Sequence, residues 1–317
     1  MKMSENKTKA PRNKTIEISD SEAESLRKRL FVPARSGKIR ADEFVGRTIL
    51  GDCVDILPRL PESFADLVIC DPPYNLSKKF GDFSFRSMDS EQYEEYLESW
   101  LPALCRIVKP TGSLYLCGDW KCTASLQRVL ERNMTVLNRI TWQREKGRGA
   151  SRNWKNSMED IWFAVKNPAE YVFNIDDVKV KRRVLAPYTE NGIPKDWEFD
   201  GEKKFRLTYP SNFWDDITVP FWSMPENTEH PTQKPEKLYA KLILASSNPG
   251  DIVFDPFLGS GTASVVAKKL GRRFAGIEID ERYCLLAEKR LVLAETDATI
   301  QGYGDGVFWE RNSAAQK

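Results

Sequence analysis

Four residues, Asp71, Pro72, Pro73 and Tyr74, follow an apolar run and carry the most specific chemistry in the sequence. The Asp71 carboxylate can accept a hydrogen bond from an exocyclic amino group, and the Pro72 carbonyl can accept one from its second hydrogen. The Tyr74 ring can stack on a flat ring. Because proline fixes φ, the tetrapeptide should leave its strand as a stiff hook. The pattern favours a site for an amino-bearing ring, and an ordinary Asp-Pro turn is the alternative.

A glycine-rich turn, Asp-Pro-Phe-Leu-Gly-Ser-Gly-Thr, occupies positions 255–262 between an apolar run and a helical pattern. Such a turn brings backbone N–H groups close to a ligand. Glu278 follows Gly259 by nineteen residues, the spacing at which a carboxylate accepts hydrogen bonds from a ribose. The turn matches neither the dinucleotide fingerprint nor a phosphate loop, and Asp255 would repel a pyrophosphate. A ribose-bearing cation, S-adenosylmethionine, fits these features, and a purely structural turn remains the alternative.

The composition narrows the class of protein further. The chain has 317 residues, a formal net charge of +2 and one histidine, His230. A single histidine excludes metal sites and proton relays that need two, and the six cysteines include no Cys-x-x-Cys pair. We therefore expect no metal and reduced, buried cysteines, as in a cytoplasmic protein. No apolar stretch reaches the length of a membrane span, and the N-terminus is too polar for a secretory signal.

Apolar runs typical of strands alternate with helical patterns along most of the chain. This alternation predicts an α/β fold with a doubly wound, mostly parallel sheet. We expect seven strands, at 48–50, 67–70, 113–117, 137–142, 161–165, 252–255 and 274–279, and helices near 90–108, 121–132, 235–247, 261–270 and 281–295.

The same patterns divide the chain into five parts. The polar N-terminus predicts a flexible arm with a short helix near 22–30. Six prolines and three tryptophans interrupt the rhythm in the second half, which predicts an irregular, inserted recognition region. The parts are an arm at 1–40, a catalytic half at 41–166, a recognition region at 167–229, a cofactor half at 230–295 and a loose tail at 296–317.

Together these motifs resemble those of the amino-group DNA methyltransferases of the beta, circularly permuted, arrangement, in which Asp-Pro-Pro-Tyr precedes the glycine turn. Gly51-Asp52-Cys53 resembles the segment that closes over the cofactor's adenine. His-Pro-Thr-Gln-Lys-Pro, at 230–235, is similar to the stretch at the methionine end of the cofactor. The likeness covers about 45–166 and 230–292. It implies a Rossmann-like methyltransferase sheet with an inserted target-recognition region and S-adenosylmethionine as cofactor.

The resemblance also implies roles for the matching positions. Asp71, Pro72, Pro73 and Tyr74 would hold the target base and carry the catalysis, without a covalent intermediate. The cofactor would be bound by Asp52, Cys53, Asp71, Thr232, Lys234, Asp255, Phe257, Gly259, Ser260, Gly261, Thr262 and Glu278.

The target base is the least determined part of the prediction. Asp at the first position of the hook usually accompanies adenine N6 in this family, whereas Ser accompanies cytosine N4. Adenine N6 in double-stranded DNA is therefore our first expectation, and cytosine N4 stays open. A duplex hides the amino nitrogen, so the base would have to leave the stack. An RNA or protein amide methyltransferase is a more remote alternative, because those enzymes generally place the cofactor turn first.

Two basic runs are expected to contact DNA phosphates or base edges. Both also fit the alternative of a solvated surface. The family resemblance implies duplex DNA as partner and a site in the bacterial cytoplasm at the nucleoid, and it leaves open a homodimer and a cognate restriction endonuclease. The candidate contacts are Arg144, Lys146, Arg148, Arg152, Lys155, Lys179, Lys181, Arg182 and Arg183.

Overall fold

A computed structural model describes residues 10–80, 83–144, 151–184, 188–191, 193–200 and 203–310. These residues form nine α-helices and two short 3₁₀ turns, at Leu57–Arg59 and Ile175–Val178. The helices are α1 (Asp20–Arg27), α2 (Ala41–Phe44), α3 (Cys53–Ile56), α4 (Ser90–Glu98), α5 (Leu101–Ile107), α6 (Thr123–Glu131), α7 (Glu236–Ser246), α8 (Thr262–Lys269) and α9 (Glu281–Leu293).

Seventeen strands are present in the same described residues. They are β1 (Thr48–Leu50), β2 (Ala65–Cys70), β3 (Lys78–Phe80), β4 (Phe83–Phe85), β5 (Val108–Gly118), β6 (Thr135–Gln143), β7 (Met158–Val165), β8 (Val180–Arg183), β9 (Thr189–Glu190), β10 (Ile193–Pro194), β11 (Glu198–Asp200), β12 (Lys203–Thr208), β13 (Phe213–Trp214), β14 (Ile252–Asp255), β15 (Arg273–Glu278), β16 (Tyr303–Gly304) and β17 (Val307–Trp309).

The central sheet has the strand order β1-β15-β14-β2-β5-β7-β6-β13. Its strands are parallel from β1 to β5, and β7 is antiparallel to both of its neighbours, β5 and β6. All seven predicted strands are in this sheet, but the predicted number is wrong. An eighth strand, β13, pairs in parallel with β6 at the edge. Its two residues lie in the proline-interrupted region, where the sequence contains no apolar run typical of a strand.

Both faces of the central sheet are buried, as the apolar strand runs predicted. Within β2, Leu67 and Ile69 belong to one hydrophobic core, and Val68 and Cys70 to the other, because successive side chains of a strand point to opposite faces. Helices α4, α5 and α6 cover the second of these faces, and α7, α8 and α9 cover the first. The sheet is therefore doubly wound, with helices packed on both of its faces.

A second sheet, of five strands, has the order β11-β12-β8-β17-β16. Most of it comes from the predicted recognition region, which is more regular than expected. Its last two strands come from the segment predicted as a loose tail, and that prediction is wrong for the described residues up to 310. Strand β17 pairs in parallel with β8, and Phe308 is fully buried. Residues 311–317 of the predicted tail lie outside the described residues.

The predicted flexible arm is folded over much of its described length. Helix α1 begins with a capping box formed by Ser19 and Glu22, close to the expected helix. Leu26 and Leu30 pack against Cys284 and Leu285 of α9. Residues 1–9 of the arm lie outside the described residues. The described part of the arm is thus held by an apolar contact. The polar composition of the N-terminus gave no indication of this contact.

No helix in the described parts of the chain is both long and apolar enough to cross a membrane.

Candidate active site

The site lies at the carboxyl ends of neighbouring parallel strands. Because β14 lies between β2 and β15, their ends bring Asp71, Asp255 and Glu278 to one edge of the sheet. A cavity of about 490 Å³ opens there, within the size range of small-ligand sites. The hook and Glu278 both line it. The two motifs, far apart in sequence, therefore belong to one site.

The Asp71 carboxylate lies in a buried network of charged and polar groups. Its Oδ2 is 2.6 Å from the Lys234 Nζ, and its Oδ1 accepts a hydrogen bond from the Tyr74 hydroxyl at 2.8 Å. Burial raises the pKa of Asp71, as does the nearby Glu159 carboxylate, while Lys234 acts in the opposite direction. A carboxylate with a raised pKa is suited to receive a proton from a reacting group.

Glu159, at the start of β7, completes this network. Its Oε2 is 3.1 Å from the Tyr74 hydroxyl and 3.3 Å from the Lys234 Nζ. Its Oε1 accepts a hydrogen bond from Arg144 at 2.5 Å. Only 5% of the Glu159 side chain is exposed. Glu159 was not among the predicted site residues, although a charged pair, Glu159 and Asp160, directly before an apolar strand run was a signal for it.

The glycine turn is shaped by two residues with positive φ, Gly259 at 55° and Gly261 at 87°. A Cβ at Gly259 would lie 3.1 Å from the His230 ring, so the turn can approach His230 this closely only with glycine. His230 in turn packs edge-on against Tyr283, with ring centroids 4.4 Å apart. His230 therefore serves as a packing residue of the cavity wall.

Glu278 is oriented by two backbone amides. The N–H of Gly259 donates to Oε2 and that of Asp280 to Oε1, both at 2.8 Å. Burial raises the pKa of Glu278 to about 7. Each carboxylate oxygen retains a second lone pair, and Glu278 lines the cavity. The side chain is thus fixed in a position where it can accept hydrogen bonds from a diol.

The predicted cofactor residues separate into two groups. Eight of them line the cavity: Asp52, Cys53, Asp71, Thr232, Lys234, Phe257, Gly259 and Glu278. The other four, Asp255, Ser260, Gly261 and Thr262, lie behind its wall.

Those four residues support the turn from behind. The Asp255 carboxylate accepts the Phe257 N–H at 2.9 Å. Arg290 of α9 donates to the Ser260 carbonyl at 2.9 Å and to the Thr262 hydroxyl at 3.0 Å. Direct contact of these residues with a cofactor stays a prediction.

The predicted DNA contacts lie in varied surroundings. Arg144 lines the cavity and is paired with Glu159, whereas Arg152 and Lys155 are exposed. Lys179, just before β8, pairs with Asp176 at 2.7 Å, and the ammonium of Lys181 on β8 lies 4.5 Å from the Trp309 ring centroid. Arg182 and Arg183 follow on the same strand, β8, and Lys146 and Arg148 lie outside the described residues.

The fold and the site together define a class of protein. It is an α/β enzyme whose sheet edge combines a glycine turn and a ribose-type carboxylate with a hook for an amino-bearing ring. The sequence model of the DNA methylase family matches residues 65–289. The chain belongs to the DNA methylase family, in which a methyl group passes from S-adenosylmethionine to DNA. Membership confirms the predicted enzyme class and the predicted cofactor.

Individual relatives agree with this assignment. The chain is 34% identical over 247 residues to the type II methyltransferase M.HpaI of Haemophilus parainfluenzae, covering 77% of this chain and 74% of that protein. It is 34% identical over 255 residues to the DNA adenine methyltransferase YhdJ of Escherichia coli (strain K12), covering 78% and 83%. The solved M1.HpyAVI–SAM complex is similar with a TM-score of 0.50 and 28% identity, covering 72% of this chain and 89% of that chain. The predicted α/β fold with a mostly parallel sheet is confirmed.

Proposed function

We propose that this DNA methylase transfers a methyl group from S-adenosylmethionine to the N6 amino group of adenine in double-stranded DNA. The observation that carries the proposal is that the Asp71 carboxylate and the Glu278 carboxylate line the same cavity. One is suited to an amino group and the other to a ribose. The adenine specificity in the name of the relative YhdJ supports the choice of base.

The cavity residues fit the proposed cofactor. The lone pairs left on Glu278 suit the ribose hydroxyls, and Gly259 leaves room beside His230 that a side chain would fill. Asp52 and Cys53 would lie at the adenine end, and Thr232 and Lys234 at the methionine end. When bound, S-adenosylmethionine supplies an electrophilic methyl group on a sulfonium.

The hook would prepare the amino nitrogen for attack. The nitrogen lone pair is delocalised into the base, so the nitrogen is a poor nucleophile. Asp71 and the Pro72 carbonyl would each accept one amino hydrogen, which favours a pyramidal nitrogen. Positive charge develops on the nitrogen during attack, and a preoriented carboxylate stabilises it most in the transition state. Asp71 would then receive the released proton, while the Tyr74 ring stacks on the base.

The order of the motifs supports the circularly permuted arrangement, because the hook precedes the glycine turn in the chain. We assign target recognition to the region 167–229, together with the C-terminal strands that complete its sheet. Its cations on β8 and β12 would contact phosphates or base edges after the target base has left the stack. A homodimer, a nucleoid location and a cognate restriction endonuclease complete the proposal, the last supported by the type II name of M.HpaI.

Transfer of labelled methyl groups by the purified protein tests this function. Duplex DNA, RNA and a protein extract are offered separately with labelled S-adenosylmethionine, and labelled nucleosides are identified after digestion of the nucleic acids. We expect label in duplex DNA as N6-methyladenine. Label as N4-methylcytosine would contradict the choice of base, and label only in RNA or protein would contradict the DNA substrate.

A further inference from the structure

Both oxygens of the Asp71 carboxylate already have partners in the structure. Lys234 lies on Oδ2 at 2.6 Å, and the Tyr74 hydroxyl donates to Oδ1 at 2.8 Å. Each oxygen keeps a second lone pair, so an amino group entering the hook would share the carboxylate with a buried ammonium and a hydroxyl. It engages Asp71 most fully when one of these two groups moves to another acceptor. A buried ammonium or hydroxyl that loses its acceptor is strongly destabilised. Such a move therefore depends on a second acceptor for the group that leaves Asp71.

Glu159 is placed to be that acceptor. Its Oε2 is within 3.3 Å of the Lys234 Nζ and 3.1 Å of the Tyr74 hydroxyl, the same two groups that occupy Asp71. Either group can therefore change its partner without becoming unpaired. Glu159 is itself held by Arg144 on its other oxygen and by the pairing of its strand with Trp142 of β6.

The charges of the network lead to the same conclusion. Asp71 and Glu159 together carry two negative charges, and Lys234 lies between them with one positive charge. Without the Glu159 charge, Lys234 would be held by Asp71 alone. The carboxylate that should stabilise positive charge on the amino nitrogen would then be neutralised by its own ion pair.

We propose that Glu159 is a positioning residue for methyl transfer, which accepts Lys234 and the Tyr74 hydroxyl while Asp71 binds the target amino group. This inference rests on the proposed function of the hook. It assigns to Glu159 no direct contact with the base or the cofactor.

Single-turnover methylation of duplex DNA by Glu159→Gln tests the inference. The substitution keeps the shape of the side chain and removes its charge. We expect the rate constant at saturating cofactor and DNA to fall on the order of tenfold to a hundredfold, less than the loss of a group that itself contacts the transition state. The KM values for S-adenosylmethionine and DNA should stay within about twofold, because Glu159 is assigned no direct contact with either one.

Asp160→Asn is the matched control. Asp160 is the next residue of β7, is equally buried, and bonds to Thr141 on the opposite face of the strand. It should leave the rate constant unchanged. Glu159→Asp keeps the charge, but its shorter side chain moves the carboxylate away from Lys234. This variant should therefore also have a reduced rate constant. It replaces Glu159→Gln in the test if the glutamine variant does not fold.

Repeating the measurement in a Lys234→Met variant distinguishes a positioning role of Glu159 from a general structural effect. In Lys234→Met, no ammonium needs a second acceptor. The fold reduction of the rate constant caused by Glu159→Gln should therefore be at least about fivefold smaller in this background than in the wild type. A wild-type rate for Glu159→Gln, or an equal reduction in both backgrounds, would overturn the inference. If the wild-type protein transfers no methyl group to DNA, the proposed function fails instead.

Discussion

The charge of one residue, Glu278, should determine how tightly the cofactor binds. Two backbone amides orient its carboxylate, and burial raises its pKa to about 7. The charged form accepts hydrogen bonds from ribose hydroxyls, whereas the protonated form accepts fewer and weaker ones. Since the raised pKa lies near neutrality, the residue loses its charge as the pH falls below 7.

We therefore expect the Kd for S-adenosylmethionine to rise about tenfold between pH 8 and pH 6, in proportion to the lost carboxylate. Isothermal titration calorimetry of the wild type and of Glu278→Gln measures this directly. Ionisation of the cofactor affects both proteins alike, so the difference between them isolates Glu278. The same pH dependence in both proteins would contradict the assigned role.

The sequence predicted some residues of the site better than others for a physical reason. Asp71 directly follows a buried strand and Glu278 ends one, each at a diagnostic position, so their neighbours in sequence identify them. Glu159 acts through contacts with residues distant in sequence, and only the folded sheet brings these together. Asp255 matched its motif, yet its carboxylate bonds to the turn behind the cavity wall. Short-range patterns thus locate the motifs but not the direction of each side chain.

At the scale of elements, the turn between β14 and α8 fixes the geometry of the cofactor side. Gly261 has a φ of 87° and packs directly on α9. A Cβ there would lie 2.6 Å from the Ala287 Cβ and 2.8 Å from its Cα. Because those atoms belong to a buried helix, the turn or α9 would have to move.

Gly261→Ala should therefore destabilise the protein by about 2–4 kcal/mol, from backbone strain and overpacking together. Gly271→Ala is the matched control, since Gly271 also has a positive φ, 74°, but no atom within 4 Å of an added Cβ. It should cost only about 1 kcal/mol. Chemical denaturation measures both values, and equal losses would contradict the predicted packing of the turn against α9.

Strand prediction succeeded where burial on both faces leaves a continuous apolar run. The predicted segments of the central strands β2, β5, β7 and β14, at 67–70, 113–117, 161–165 and 252–255, are buried and largely apolar. The short strands β13 and β17 lack such a run, because two or three residues are too few to show a recognisable strand pattern. Their pairing is decided by partners far away in the chain, β6 and β8.

At the scale of the whole molecule, the C-terminal segment joins the second sheet to the core. Phe308 on β17 is fully buried in the same core as α7, and the Lys241 ammonium lies 5.5 Å from its ring centroid. The described part of the segment predicted as a tail, up to residue 310, is therefore a structural part of the protein.

Phe308→Ala should lower the free energy of unfolding by about 3–5 kcal/mol, the range for a buried phenylalanine. Phe199→Ala provides the control, because Phe199 lies in the same sheet with 63% of its surface exposed and should change stability little. Chemical denaturation of both variants tests the contact. Similar stabilities would mean that the C-terminal strand does not contribute to the core.

We propose that the Asp71 hook directs methyl transfer to adenine N6. The most direct measurement is modification-sensitive sequencing of genomic DNA from a methylation-free bacterial host that expresses the protein. This role of the hook predicts N6-methyladenine at one recognition sequence with the wild type and none with Asp71→Ala, although the purified variant still binds S-adenosylmethionine. N4-methylcytosine, or adenine methylation that persists in Asp71→Ala, would contradict it.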